Sequence, residues 1–572
     1  MRRLPWILLL CAACAHRPPA PAEAPPEPAA EPAAPSPRAG VVSAAHPLAA
    51  EAGRDVLQAG GNAFDAAVAT ALVLGVVNPQ SSGLGGGGFA VWRQADGATG
   101  SLDFREVAPS FFARDTYAVE GRSSTRGPWS TGVPGEAAGL ASLHAAHGVL
   151  PWADLVEPAR RVAAEGFPVG PDLAAALGRM GEGILADPGL ASVLSVDGEV
   201  LAEGETCRRP ALADTLQYLQ LHGGRGLYSG PLAVSLSGFL AGQGVPWTEA
   251  ELAAYAPRER EPLRGQYRGL SIVTMGPPSS GGIALLQTLG VLEQADHRAQ
   301  GYGSLSWTRT LTAGLRHAFA DRAAYGGDPD FVELPLSALL DPALFRRLWD
   351  GTPAAGPVPL DQAGLAGERS ETTAAPTDDS GTSHLSVLDA DGRMVALTTT
   401  VNLLFGSGQA DPGTGIVLND EMDDFTARPG EPNAFGLVQS EANAVQPGKR
   451  PLSSMTPTLV LQDGQPRLAV GGAGGPRIIT GTLQTLLGVV DGDLSGHDAV
   501  ARGRLHHQWL PDELELEAGW DEAARQGLTD EGFTVIGLRY AGRIHAATRA
   551  EDGSFGGGAD PRGGGAVAVS QP

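Results

Sequence analysis

Residues 378–401, DDSGTSHLSVLDADGRMVALTTTV, constrain this chain more than any other stretch. Two runs of alternating polarity flank Asp389-Ala390-Asp391-Gly392, and that arrangement predicts an antiparallel hairpin. A type I turn closed by a G1 bulge puts Gly392 in the left-handed position. Asp389 then faces Arg393, and counting outward sets Thr400 opposite Thr382. Facing residues of an antiparallel pair share one side of the sheet, with Cβ atoms roughly 4.5–5.5 Å apart. The pattern therefore sets two threonine hydroxyls side by side, the first directly after Gly381. A Thr–Thr pair in a hairpin is ordinarily structural, so the rest of the chain has to supply a reason to read it otherwise.

The chain opens with Met1-Arg2-Arg3 and a short apolar run to Cys14, the form of a secretory signal and too short to span a bilayer. Ala12-Ala13-Cys14 has the form of a bacterial lipoprotein cleavage box, which makes Cys14 a candidate lipidated N-terminus; ordinary signal cleavage is the alternative. Residues 15–40 are rich in Pro and Ala, without hydrophobic periodicity, and read as an extended linker. These features predict an exported protein, periplasmic or lipid-anchored to a bacterial membrane.

A net charge of −24 argues against a nucleic-acid partner, which calls for basic patches. Beyond the linker only Cys207 remains, which excludes an internal disulfide and a Cys-based metal site there. Length alone suggests two to four domains, although a large single unit also fits.

Helical spacing marks Pro47–Gln58 and 63–76, the second capped by Asn62 and apolar nearly all round, hence buried. The glycine-rich stretch 81–88 lacks Gly-Lys-Ser/Thr and precedes a strand, so close backbone packing explains it better than a nucleotide loop. Residues 101–106 read as a strand ending in Arg105-Glu106; a guanidinium fork suits a carboxylate, and a plain salt bridge is the bland alternative. Residues 166–375 read as helices and loops, including 283–292 and 304–324. Residues 352–379 read as an exposed loop running into Gly381-Thr382, where a chain is open to cutting. Residues 415–419 read as a strand before Asp420-Glu421-Met422-Asp423-Asp424, which is either a solvated turn or a site for an ammonium group. Gly471 to Pro476 joins a strand at 467–470 to a helix, Arg477–Val490, and glycine amides at a helix start suit an oxyanion hole. His506-His507 lacks a metal-ligand pattern and reads as structural. Neither a Gly-x-Ser-x-Gly elbow nor a His-Glu-x-x-His motif is present.

Gly381-Thr382 is what remains. A threonine hydroxyl needs an adjoining base, and a free α-amine on the same residue supplies one. Its ordinary pKa of about 7.7–8.0 leaves a useful neutral fraction at physiological pH. Obtaining that amine requires cutting the bond before Thr382.

At this point the sequence resembles the γ-glutamyltransferase (γ-glutamyl transpeptidase, glutathione hydrolase) family of N-terminal nucleophile hydrolases. The resemblance rests on GGNAFDAAVA, PQSSGLGGGGF, DFRE, PPSSGG, FADRAAYGGDPDF, GTSHLSV, LNDEMDDF, KRPLSSMTPT, GGAGGPRIIT and HHQWLPDE. It implies an α+β fold, the four-layer αββα sandwich, and cleavage at Gly381–Thr382 into a large subunit, 41–381, and a small catalytic subunit, 382–572. It implies Thr382 as the nucleophile supported by Thr400, with Gly474 and Gly475 supplying oxyanion amides. Arg105, aided by Ser453 and Ser454, would take the α-carboxylate of a γ-glutamyl group. Glu421 and Asp424, with Asn402 nearby, would take its α-ammonium at the opposite end of the clamp. Glutathione and related γ-glutamyl compounds are the implied donors, and water or amino acid and dipeptide amines the acceptors; no metal and no organic cofactor are implied. Ser383 stands where the family usually has Thr, and Phe435 where many bacterial relatives have Tyr in a lid loop. The presence of that lid disfavours the cephalosporin-acylase branch, which stays the nearest alternative.

Overall fold

The computed structural model describes Met1 and residues 36–365, 380–428, 431–538 and 540–571. The signal-like start after Met1, Cys14, and the linker through residue 35 lie outside the described residues. Ser36–Pro572 forms one compact unit.

Its frame is a pair of antiparallel sheets. The strands used below are β1 (Gly40–Ala44), β2 (Gly87–Arg93), β3 (Thr99–Asp103), β4 (Arg258–Arg260), β5 (Leu263–Tyr267), β6 (Leu270–Thr274), β7 (Ser380–Asp389), β8 (Met394–Leu403), β9 (Thr458–Gln462), β10 (Gln465–Ala473), β11 (Arg543–Arg549), β12 (Phe555–Ala559) and β13 (Ala566–Ser570). The first sheet has seven strands in the order β13-β1-β7-β8-β2-β3-β4, and the second has six in the order β12-β11-β10-β9-β6-β5. Strands from both sides of Gly381 take part in each sheet, so the two predicted subunits share one core.

Period-two alternation divides that core into layers. Leu385, Val387, Val395 and Leu397 join the helices α1 (Pro47–Gln58) and α2 (Ala63–Val77) on the outer face of the first sheet. Their neighbours Leu388, Met394 and Ala396 point the other way and meet Leu459, Ala469 and Ala547 of the second sheet. On the far side of the second sheet, Val460, Leu468 and Val470 pack with α3 (Gly281–Gln294), α4 (Leu305–Tyr325) and α5 (Arg477–Val490). Three apolar layers between helix, sheet, sheet and helix make the αββα sandwich.

The hairpin has the expected form. Asp389 N–H donates to Arg393 O at 3.1 Å, Gly392 N–H to Asp389 O at 3.1 Å, and Gly392 has φ +84°. The buried Asp389 carboxylate also accepts the Ala63 N–H at 3.1 Å, which pins the turn to the start of α2. Thr382 pairs with Thr400, as the turn count requires. Just beyond, Gly381 pairs with Asn402, so Val401 is one residue too many and gives its N–H to Ser81 O at 3.2 Å. The glycine-rich stretch is indeed a packing device. A Cβ on Gly86 would stand 1.9 Å from Thr400 O, and one on Gly88 2.1 Å from Thr398 O.

Four readings need correction. The strand expected at 101–106 ends at Asp103, because the Asp103 carboxylate accepts the Arg105 N–H at 3.0 Å and turns the chain out of the sheet. The strand expected at 415–419 shrinks to Ile416–Val417, because Asn419 N–H goes to Gly85 O at 3.3 Å instead of to a ladder. The region read as helices and loops also holds β4, β5 and β6, whose charged residues at 258–264 mask the strand pattern at a sheet edge. The loop expected to be exposed at 352–379 buries Val358 and Ala363, and the Leu365 N–H bonds to Asp321 at 2.5 Å; residues 366–379 lie outside the described residues.

Gly86→Ala is expected to abolish soluble expression or to leave an unfolded chain, since the obstacle is main chain. Gly178→Ala, on the exposed side of a helix with nothing within 4 Å, is expected to gain roughly 0.5 kcal/mol. Thermal unfolding of the two variants checks the contrast.

Candidate active site

Alternation points Thr382, His384 and Ser386 into the space between the sheets, on the same face as Thr400 and Thr398. Thr382 is 8 % exposed. Its Oγ1 lies 3.0 Å from Thr400 Oγ1, and the Thr400 hydroxyl donates to the Gly381 carbonyl at 2.8 Å. Because Thr400 has one proton and spends it on Gly381 O, the Thr382 hydroxyl is the donor to Thr400. The Asn402 N–H also donates to Thr400 Oγ1, at 2.9 Å. Asn402 holds φ +79° for this, steadied by its Nδ2 donating to Asp420 O at 3.1 Å. The Asp420 carboxylate in turn accepts Leu403 N–H at 2.9 Å. The arrangement polarises the carbonyl of the Gly381–Thr382 bond and fixes the hydroxyl of the residue that follows it.

Arg105 is fully buried and forms ion pairs with Glu421, with Asp424 at 2.5 Å and with Glu106 at 3.9 Å. Its guanidinium also donates to Pro451 O at 3.3 Å and Leu452 O at 3.2 Å. Burial alone would lower its pKa; Glu421, Asp424 and Glu106 outweigh that and hold it firmly charged. Burial lifts Glu421 and Glu106 well above the usual carboxylate range, with Arg105 pulling both down. The groups expected at opposite ends of a clamp therefore touch one another, because a buried guanidinium needs partners of opposite charge. The solvated-turn alternative for 420–424 fails, since all four acidic residues are buried. Only two of them join Arg105. Asp420 braces the hairpin, and Asp423 accepts from Ser124 Oγ at 2.8 Å and from Ala434 N–H at 3.0 Å.

Ser453 and Ser454 follow the carbonyls that hold Arg105. Arg322 of α4, unremarked from the sequence, donates to Ser280 Oγ at 3.0 Å and approaches Ser454 Oγ at 3.5 Å. Burial lowers its pKa to about 10, while Asp424 opposes the fall. The FADR motif was its only trace in the sequence, because a charged residue inside an otherwise buried helix gives no periodic signal of its own.

Gly474 and Gly475 adopt φ +132° and +56° at the mouth of α5. Among the described residues their N–H groups make no hydrogen bond to main chain or side chain. The Phe435 ring lies so close to Gly475 that a Cβ there would stand 2.7 Å from it. Phe435 O accepts from Gln508 Nε2 at 3.2 Å. The expected lid residue is thus in place without a phenol group.

Other buried groups have bounded roles. Cys207 is a free buried thiol, pushed up to about 11 by burial. His506 and His507 are buried and bonded to Thr480, Gln508 and Asp512, consistent with the structural reading. Glu136, missed in the sequence, accepts from Thr399 Oγ1 at 2.6 Å, one residue from Thr400. Burial pushes its carboxyl up to about 8, with the Thr399 bond opposing and Glu106 adding.

Thr400→Ala is expected to slow any scission at Gly381–Thr382 by about 10²-fold, the scale of losing one hydrogen-bond donor to a reacting carbonyl. Thr400→Ser keeps the donor and is expected to stay near wild type; a timed gel of freshly made protein decides. For Glu136 the folded pKa lies above the unfolded one. Its stabilising contribution is therefore full at low pH, below the unfolded value, and is lost as pH rises towards about 8. Glu136→Gln should show a Tm advantage over wild type that grows between pH 5 and pH 8.

Comparison with known proteins agrees with this geometry. The family described as gamma-glutamyltranspeptidase matches residues 49–570. The chain is similar to a glutathione hydrolase proenzyme of Escherichia coli, 37 % identical over 98 % of this chain and 97 % of that protein. It is 39 % identical to glutathione hydrolase 2 of Arabidopsis thaliana over 81 % of this chain and 80 % of that one. Among solved structures, cephalosporin acylase from Bacillus halodurans superposes with a TM-score of 0.81 at 26 % identity, covering 96 % of this chain and 99 % of that chain. A chain of Helicobacter pylori gamma-glutamyltranspeptidase gives a TM-score of 0.54 at 35 % identity, covering 56 % of this chain and 93 % of that one. With this match over nearly its whole length, the chain belongs to the gamma-glutamyltranspeptidase family.

Proposed function

We propose that this protein is an autoprocessing γ-glutamyltransferase and glutathione hydrolase. The single observation that carries the reading is the hydrogen-bonded chain from the Thr382 hydroxyl through Thr400 to Gly381 O. In the precursor, Thr382 Oγ1 attacks the Gly381 carbonyl carbon and the Gly381–Thr382 C–N bond breaks. Gly381 is then an ester on Thr382, and the Thr382 nitrogen takes up the proton as an amine. Water hydrolyses the ester, leaving a large subunit that ends at Gly381 and a small one that starts at Thr382.

The freed amine then serves as base for its own hydroxyl. Thr382 Oγ1 adds to the γ-carbonyl of a γ-glutamyl amide, and the developing oxyanion lies towards the Gly474 and Gly475 amides. The leaving amine departs with a proton, and the γ-glutamyl ester passes to water or to the amine of an amino acid or dipeptide. Arg105, with Ser453 and Ser454, takes the substrate α-carboxylate; Glu421, Asp424 and Asn402 take its α-ammonium. Fixing both ends orients the γ-carbonyl against the nucleophile. Acyl transfer of this kind needs proton movement and oxyanion stabilisation, which the chain's own groups supply. The signal-like start places this chemistry outside the cytoplasm, with Cys14 as the point of lipid attachment.

The similarity to a cephalosporin acylase favours one competing reading, an amidase on other acyl groups. A gel of wild type beside Thr382→Ala, followed by turnover of γ-glutamyl 4-nitroanilide with and without glycylglycine, separates them. The expected result is two fragments for wild type, one for Thr382→Ala, and anilide turnover stimulated by glycylglycine. A wild-type chain that stays whole would sink the mechanism, and cleavage without anilide turnover would favour the acylase.

A further inference from the structure

Asn433 joins two parts of the site that chemistry otherwise leaves separate. Its Oδ1 accepts the N–H groups of Phe435 at 3.1 Å and Leu437 at 3.2 Å, which shapes the turn that carries Phe435. Its Nδ2 donates to Asp424 Oδ1 at 3.2 Å. The other oxygen of Asp424 faces Arg105 at 2.5 Å. Two residues past Asn433, the Phe435 ring lies on Gly475. A cavity of about 460 Å³ is lined by Tyr117, Arg122, Phe425, Pro432 and Asn433, so the turn borders open space.

We infer that Asn433 is a positioning residue that makes the acyl-transfer site read the α-amino group of its substrate. The inference rests on the γ-glutamyl reading of the site. A ligand carboxylate draws Arg105 towards itself and weakens its hold on Asp424. An α-ammonium on Asp424 replaces that hold and keeps Oδ1 aimed at Asn433. The turn then stays latched, and Phe435 stays over the oxyanion amides. A glutaryl amide has the carboxylate and the reacting carbonyl but no amine. It leaves Asp424 unfixed, so Asn433 loses its acceptor and the cover over Gly475 loosens. Discrimination between the two acyl groups thus comes from the latch as well as from the direct ammonium contact.

The test compares kcat/KM for γ-glutamyl and glutaryl 4-nitroanilides in wild type, Asn433→Ala and Asn433→Ser. Serine can accept a backbone N–H in the turn but is too short to reach Asp424. Both variants are expected to lower the γ-glutamyl-to-glutaryl ratio at least about tenfold, mainly through kcat on the γ-glutamyl substrate. Self-cleavage into two subunits at the wild-type rate certifies their fold. In limited proteolysis, L-glutamate should protect the 431–440 segment of wild type better than glutarate does, and the two should be equal in the variants. Equal losses on both anilides, or a Ser variant that discriminates like wild type, would overturn the inference. A wild type that prefers the glutaryl anilide would instead defeat the γ-glutamyl reading itself.

Discussion

One hydroxyl proton, that of Thr400, sets the geometry on which the rest of the site depends. It is committed to the Gly381 carbonyl, and that commitment makes Thr382 a donor and the Asn402 amide a second donor to the same oxygen. The commitment requires the extra residue at Val401, because a regular ladder would set Gly381 against Val401 and carry Asn402 N–H away from Thr400. Ser81 takes the displaced Val401 N–H, so the glycine-rich loop, the bulge and the Gly381–Thr382 bond are one construction.

The second constraint is electrostatic. Arg105, Glu106 and Glu421 are buried together, and Asp424 lies at their edge. Isolated in an apolar interior, any of these charges would be expensive; grouped, they compensate one another. The same grouping makes the cluster receptive to a zwitterion, which offers a carboxylate to Arg105 and an ammonium to the acids without changing the net charge of the interior. Arg322 and the loop through Ser454 close the cluster on one side. The turn at Asn433 closes it on the other. Asp420 and Asp423, equally acidic in sequence, brace main chain instead, and Asp423 also holds the Ser124 hydroxyl.

Much of this was legible in the residues. Turn chemistry at Asp389 to Gly392 fixed the register of the hairpin, because a G1 bulge allows one count. The outer helices Pro47–Gln58 and Arg477–Val490 stand where the sequence reading put them. What was illegible has a common cause. The strands at 258–260 and 263–267 sit at sheet edges, where charge masks alternation. The apparent strand residues at 105–106 and 418–419 lose their ladder because a side chain or a loop takes their peptide groups. Arg322 and Glu136 act through partners far away in sequence, Asn433 acts through Asp424 and its own turn, and no local pattern marks them.

The sequence by itself determined the local pieces: the Gly-Thr pair, its facing threonine, the Arg-Glu pair and the run of four acids. Those follow from residue type and short-range counting. Only the tertiary structure decided how the acids divide their work, where the Thr400 proton goes, and that Phe435 is tied through Asn433 to Asp424. Each of these turns on which groups are buried against which, and burial is set by two sheets that meet only after the whole chain has folded.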